Sequence, residues 1–272
     1  MPELPEVETN ARNLARWALG KTIRSVTPPQ GARERAGLSA ASFRRRLTGR
    51  RIEWIARRGK WILVGLHPDG ALGLHLGMTG KLARAKGEPP RFTRAALLLH
   101  DGTKLCFVDS RRFGRLVAAP SLAELTARPE IADIGPDALD GIDVARLGAA
   151  LAGTRRTVKE ALLDQHLVAG VGNLYATEAL WRARIHPRTP ARAVARDAAR
   201  LRVLWRSLRA ALRHGLGTFT AGEVPEYIED GAPNPFHAYD RKGQPCHRCG
   251  AILRAIQVGG RTSAFCPSCQ PW

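Results

Sequence analysis

Four of the five cysteines stand near the C-terminal end in a pattern that suits a metal ion. Cys246 and Cys249 form one Cys-x-x-Cys pair, and Cys266 and Cys269 form a second after sixteen intervening residues. Each pair can put two thiolates on one side of a tetrahedral zinc, and four such ligands leave no open position, so one structural Zn2+ is expected. Leu253, Ile256 and Val258 in the interval suit a hairpin. Disulfides need an oxidising compartment. The start Met-Pro-Glu-Leu-Pro-Glu lacks the basic segment and apolar stretch of a secretory signal, so zinc and a cytoplasmic location are the expectations. Arg261, inside the interval, can reach a phosphate or a base, or can simply be a solvated arginine. Cys106 stands alone in a strand-like run and reads as core.

The other end offers a nucleophile. Removal of Met1 ahead of the small Pro2 leaves a secondary amine, which titrates near ~8 and is therefore partly neutral at pH 7, unlike a free lysine. Such an amine attacking a sugar C1′ forms an iminium, an electron sink that makes the C2′ proton acidic and lets a 3′ phosphate leave. Glu3 is adjacent and Glu6 is a helical turn on, so a carboxyl for proton transfer can stand beside the amine. Taken alone, acidic residues in a first helical turn are equally explained by the helix dipole.

These groups need a framework, and the composition describes one. The 272 residues carry 43 Lys+Arg against 24 Asp+Glu, a formal charge of +19, and only seven of the 43 are Lys. That excess points to a polyanionic partner, most simply nucleic acid. An apolar share of 44% argues for a packed core, and no apolar run is long enough for a membrane span. Glu3 to Leu19 reads as a helix ended by Gly20. From Ile23 to about Val117 the chain shows short strand-like runs, among them 61–66, 71–76, 95–99 and 104–108, as in a sandwich or barrel. After Pro120 it turns helical, with an apolar stripe at Leu201, Leu204, Trp205, Leu208 and Leu212, and five arginines (200, 202, 206, 209, 213) on the other faces. From Gly215 to Gln244 it reads as loop.

The string Met1 to Thr9, Met-Pro-Glu-Leu-Pro-Glu-Val-Glu-Thr, closely resembles the N-terminus of the formamidopyrimidine-DNA glycosylase family. The resemblance continues through 57–60 (Arg-Arg-Gly-Lys), 75–80 (His-Leu-Gly-Met-Thr-Gly), 109–114 (Asp-Ser-Arg-Arg-Phe-Gly), 170–175 (Gly-Val-Gly-Asn-Leu-Tyr) and the cysteine cluster, and covers essentially the whole chain. Leu4 favours this branch over the related endonuclease VIII branch. The resemblance implies an α+β fold: a leading helix with a β-sandwich over 1–130, a helical helix-two-turn-helix domain with a lesion-lid loop over 131–237, and a zinc ribbon over 238–272. It implies a bifunctional DNA glycosylase/AP lyase of base excision repair. That enzyme removes oxidised purines (8-oxoguanine, formamidopyrimidines) and cuts the strand by β,δ-elimination. Its partner is double-stranded DNA with a damaged base or abasic site, and it acts as a monomer in the cytoplasm, on the nucleoid.

Residue by residue, the resemblance makes Pro2 the nucleophile, Glu3 the acid/base group and Lys60 a further active-site cation, a role an ammonium fills better than a guanidinium because it can exchange protons. Met78, Arg111 and Phe113 are expected to enter the duplex when a nucleotide is turned out, the apolar groups replacing stacking and the guanidinium meeting the orphaned base. Lys159, Asn173 and Arg261 are expected at phosphates, while Glu6 and Glu178 match recurring positions with chemical and supporting roles both open. The run 219–228 and the segment from Asp230 to Arg241 depart from the family's lid. A shifted lesion range, an endonuclease VIII-like preference for oxidised pyrimidines or abasic sites, and a non-catalytic DNA-binding zinc protein are the competing readings.

Overall fold

In the computed structural model, which describes residues 2–218 and 233–272, the chain opens with helix α1 (Leu4–Ala18). Leu4, Val7, Ala11, Leu14 and Ala18 repeat at helical spacing and are all buried. Gly20, at φ +78°, turns the chain out of the helix in a conformation that side chains resist. The sequence departure at 219–228 lies outside the described residues. The rest divides into two compact units, residues up to 133 and residues 134–218 with 233–272.

The first unit holds eight strands: β1 (Ile23–Thr27), β2 (Arg51–Arg58), β3 (Trp61–His67), β4 (Ala71–His75), β5 (Lys81–Ala85), β6 (Thr93–Leu99), β7 (Lys104–Val108) and β8 (Arg115–Ala119). They form two antiparallel four-stranded sheets, ordered β1-β6-β7-β5 and β2-β3-β4-β8. Strand β3 shows how the sequence dictates the layers. Ile62, Val64 and Leu66 point into the core with Leu14, Leu74, Leu105 and Phe107. Trp61 and Leu63, on the opposite face by the two-residue period, pack with Leu125 and Ile131. Those two come from helices α3 (Leu122–Thr126) and α4 (Pro129–Ala132), which is why an inner strand of an antiparallel sheet is apolar on both faces. Cys106 is a buried core residue of β7. One helix in this strand-rich region was not anticipated. In α2 (Ala40–Leu47) only Phe43 and Leu47 are buried and three consecutive arginines dilute the pattern, although Ser39 caps its start through Ser42 N–H at 3.1 Å.

The second unit contains α5 (Val144–Ala152), α6 (Val158–Leu163), α7 (Asn173–Ala183), α8 (Ala191–Arg196), α9 (Ala198–Thr218) and a hairpin, β9 (Arg254–Val258) with β10 (Arg261–Phe265). Leu201, Leu204, Leu208 and Leu212 of α9 are buried. The expected loop at Gly215 does not begin there: α9 continues to Thr218. Gly215 lies against the fully buried Tyr175 of α7, so the missing side chain serves close helix packing and not a turn. A buried carboxylate then fixes the chain at residues 237–239. Glu178 accepts backbone N–H bonds from His237 at 3.1 Å, Ala238 at 2.7 Å and Tyr239 at 2.9 Å. Among the described residues no helix is long and apolar enough to cross a membrane.

A methyl group at Gly215 would fall on the Tyr175 ring and hydroxyl, and Tyr175 is held edge-on by Phe236 at 5.8 Å. Gly215→Ala is therefore expected to destabilise the protein by about 1–3 kcal/mol, as overpacking does, despite the better helix propensity of alanine. A urea melt showing equal or greater stability would contradict this packing.

Candidate functional site

In the first unit the N-terminal residues are pinned. Pro2 and Glu3 are buried, and Glu3 is the N-cap of α1. The Glu6 carboxylate accepts the Glu3 N–H at 2.8 Å, so Glu6 fixes the backbone beside Pro2. Two further bonds fix the helix itself. Asn10 Oδ1 accepts Leu82 N–H at 2.7 Å from β5, and Glu8 pairs with Arg57 of β2 at 2.9 Å. Arg57 is almost fully buried and also donates to the Gly59 carbonyl at 3.1 Å. Gly59, at φ +55°, makes the tight β2–β3 turn that carries Lys60. A chain of contacts from Glu8 through Arg57 to Gly59 thus couples the first turns of α1 to the lysine's turn.

Across β3, β4 and β8 runs a short row of basic and aromatic groups. Trp61 pairs with His75, and His75 with Arg115. The Trp61 and His75 rings lie 5.1 Å apart, with Arg115 over the Trp61 face at 5.2 Å. Burial, aided by the charges of Arg115 and Lys60, pushes the His75 pKa down to about 4. The ring is therefore neutral near pH 7. Its Nδ1 accepts the Gly77 N–H at 3.2 Å, which leaves the proton on Nε2 as a donor. In the sequence His75 stands only as part of a run with no role of its own, and its cross-strand neighbours are what single it out.

Met78, Arg111 and Phe113 lie on two loops that one carboxylate ties together. Asp109 is buried at 1% exposure. Its Oδ1 accepts Thr79 Oγ1 at 2.5 Å and Arg111 N–H at 3.2 Å, while Oδ2 accepts Gly114 N–H at 2.8 Å. Gly77, at φ +68°, presses so closely on the Phe113–Gly114 backbone that a Cβ has no room. Met78 is half-buried, whereas Arg111 and Phe113 are exposed, with the guanidinium 5.1 Å from the ring centroid. The neighbouring Arg112 is differently engaged: it adopts φ +60° and pairs with the buried Glu34 at 3.0 Å. The structure thus engages Arg112 within the fold while leaving its neighbour Arg111 exposed, in line with the sequence reading that singles out Arg111.

In the second unit, residues 164–172 connect α6 to α7 through a compact turn. Gln165 donates to the carbonyls of Leu163 at 3.1 Å and Val171 at 2.7 Å and accepts Gly170 N–H at 3.0 Å. Asn173, the first residue of α7, donates from Nδ2 to the Thr262 carbonyl at 3.0 Å. That bond joins the α7 N-terminus to β10 beside Arg261, which is exposed just after the Gly259–Gly260 turn. Lys159 differs from expectation. It is fully buried, with Nζ donating to Thr177 Oγ1 at 2.8 Å, and Thr177 bonds in turn to the Asn173 carbonyl at 2.7 Å. The side chain runs under the first turn of α7 and not to the solvent-facing surface expected of a phosphate contact, because α6 packs against α7 there.

The four cysteines meet as expected. Their sulfur atoms all lie within 4.8 Å of one another, with Cys249 3.5 Å from both Cys266 and Cys269, and none forms a disulfide. Tetrahedral zinc with Zn–S bonds of about 2.3 Å needs sulfurs roughly 3.8 Å apart, so the cluster fits one structural Zn2+. Gln270 braces it, accepting Cys266 N–H at 2.9 Å and donating to the Ile185 carbonyl at 2.8 Å.

The depressed His75 pKa has a consequence for stability. Between about pH 6.5 and 4 the unfolded chain binds a proton on this ring that the folded chain does not, so stability should fall as pH drops through that window. In His75→Gln this component should vanish. Melts of both proteins at pH 4.5 and 7 that show the same loss would sink the assignment.

Comparison with known proteins agrees with this geometry. Family models match residues 1–116 (Formamidopyrimidine-DNA glycosylase N-terminal domain), 134–222 (Formamidopyrimidine-DNA glycosylase H2TH domain) and 243–271 (Zinc finger found in FPG and IleRS). A formamidopyrimidine-DNA glycosylase of Acidothermus cellulolyticus is 44% identical over 280 residues, spanning 100% of this chain and 98% of its own. The crystal structure of MutM (Fpg) from Thermus thermophilus superposes with a TM-score of 0.82 at 38% identity, covering 99% of this chain and 98% of that one. The complex of Lactococcus lactis Fpg with DNA containing an abasic site gives 0.87 at 28% identity, covering 99% and 100%. A full-length match at such identity, over the same sandwich, helical unit and four-cysteine site, places this chain in the formamidopyrimidine-DNA glycosylase family.

Proposed function

We propose that Pro2, Glu3 and Lys60 carry the chemistry of a bifunctional DNA glycosylase/AP lyase that excises oxidised purines in base excision repair. The observation that carries this reading is the pinned N-terminus, with Pro2 buried beside the Glu3 N-cap and coupled through Glu8 and Arg57 to the turn of Lys60. The Pro2 nitrogen attacks C1′ and the base leaves with the glycosidic electron pair. Glu3 is placed to move the proton at the sugar. Loss of a C2′ proton from the resulting iminium then expels the 3′ phosphate, and a second elimination releases the 5′ phosphate. Lys60, His75 and Arg115 supply positive charge and a neutral N–H donor to the backbone around the sugar. Met78, Arg111 and Phe113 fill the space a flipped nucleotide leaves, and Asn173 and Arg261 hold phosphates in the second unit. Zinc keeps the hairpin that presents Arg261 folded. The cytoplasm, on the nucleoid, is the location this activity implies.

The test is borohydride trapping on duplexes carrying 8-oxoguanine opposite C, an oxidised pyrimidine, or an abasic site. Wild type should form a covalent adduct on 8-oxoguanine, and Pro2→Gly should lose it. Adducts only on the other two would move the substrate to oxidised pyrimidines or abasic sites, and none at all would leave a binding protein. A complex of Lactococcus lactis Fpg with DNA containing an oxidised pyrimidine makes the second duplex a necessary arm. Asp109→Asn should slow excision of a base roughly tenfold or more, the value of about one charge-assisted hydrogen bond, because both inserting loops loosen. Cutting of a preformed abasic site should stay within about twofold. Equal losses on the two substrates would refute a positioning role for Asp109.

A further inference from the structure

Helix α9 carries five arginines and no acidic residue over 21 positions. Four of them, Arg202, Arg206, Arg209 and Arg213, recur at i, i+4, i+7 and i+11, which places them in one stripe about 16 Å long. The stripe lies opposite Leu204, Leu208, Ala211 and Gly215, the side buried toward the unit's interior. Arg202, Arg206 and Arg213 are exposed, and the Arg209 guanidinium lies 5.2 Å from the centroid of the half-buried Trp205. Like charges three and four residues apart destabilise a helix by a few tenths of a kcal/mol per pair. Here three such pairs stand in succession. Elsewhere Arg57, Arg112, Arg128 and Arg156 each meet a carboxylate, but among the described residues none of these four does. General arginine richness does not explain a stripe stripped of counter-charge.

Alongside the stripe run two open hollows of about 490 and 380 Å3, which share Trp205 and Arg206 as a common wall. Val144, Ala145 and Leu201 give the first an apolar side. The indole is held by its N–H on the Ile142 carbonyl at 3.4 Å, so the aromatic wall is fixed. We propose that this face is a second, sequence-independent DNA site, which holds a further duplex segment by its phosphates. Guanidinium forks match phosphate oxygens, and a duplex presents about one phosphate per 1.7 Å of axis over both strands, so a 16 Å row of cations finds partners at any register. The site goes beyond the catalytic reading and does not depend on it. Asn173 and Arg261 lie on other elements. An enzyme searching for rare lesions would gain a second handhold from which to pass between DNA segments.

The test saturates the protein with an unlabelled, non-cleavable abasic-site duplex and then titrates in a labelled undamaged duplex, reading anisotropy and sedimentation. A parallel titration omits the abasic duplex, so that failure of lesion binding is seen separately. Wild type should form a complex with two duplexes. The quadruple variant Arg202→Ser, Arg206→Ser, Arg209→Ser, Arg213→Ser should weaken the second event at least tenfold. It should also reduce the slope of log K against log salt by about 3–4, near 0.9 for each lost phosphate contact. Binding of the first duplex should be unchanged, and circular dichroism should show the variant folded. Absence of the two-duplex complex in wild type, its persistence in the variant, or binding of polyglutamate in place of DNA would each overturn the proposal.

Discussion

A chain terminus ordinarily frays, and the chemistry assigned to Pro2 tolerates no fraying. The framework around α1 answers that constraint. A capping carboxylate from Glu6 holds the Glu3 backbone, Asn10 sutures the helix to β5, and Glu8 grips the buried Arg57 of β2. These attachments reach strands in both sheets, so the position of the Pro2 nitrogen, the proposed nucleophile, is set by the sandwich as a whole. Leu14, Trp17 and Ala18 pack the far end of the helix into the core, which prevents it from pivoting about its first turn. The core is in this sense a mount for a single nitrogen atom.

The loops that bear Met78, Arg111 and Phe113 solve a related difficulty. Side chains proposed to enter a duplex must be reachable before binding, and an exposed loop is costly to order. Asp109 meets that cost inside the protein by satisfying the Thr79 hydroxyl and two backbone N–H groups at once. Gly77 lets the two backbones touch. Exposure at the tips and order at the base coexist because the hydrogen bonds are buried one layer below the working groups.

Much of this was legible from local pattern. Four cysteines at fixed spacing and strand runs of alternating or continuous apolar residues each express chemistry within a few positions, whereas the roles expected of Pro2 and Glu3 rest on the family resemblance and not on their types alone. The hairpin between the cysteine pairs followed from Leu253, Ile256 and Val258, and the core role of Cys106 from its strand. Pairings across long stretches of chain were not legible. Glu8 meets Arg57, Glu34 meets Arg112, and Thr79 meets Asp109 only after the sheets form. The buried course of Lys159 likewise depends on how α6 lies against α7. Helix α2 was hidden by its arginines, and the end of α9 by a glycine whose role is steric room, since a glycine read without its neighbour looks like a turn.

The Glu178 carboxylate fixes residues 237–239 by three N–H bonds from within α7, and α9 is held up to Gly215 by its packing on Tyr175. Residues 237–239 and the last turns of α9 are therefore each held by a side chain of α7. One helix, α7, thus anchors both segments, so a substitution that displaces α7 would loosen the end of α9 and residues 237–239 together.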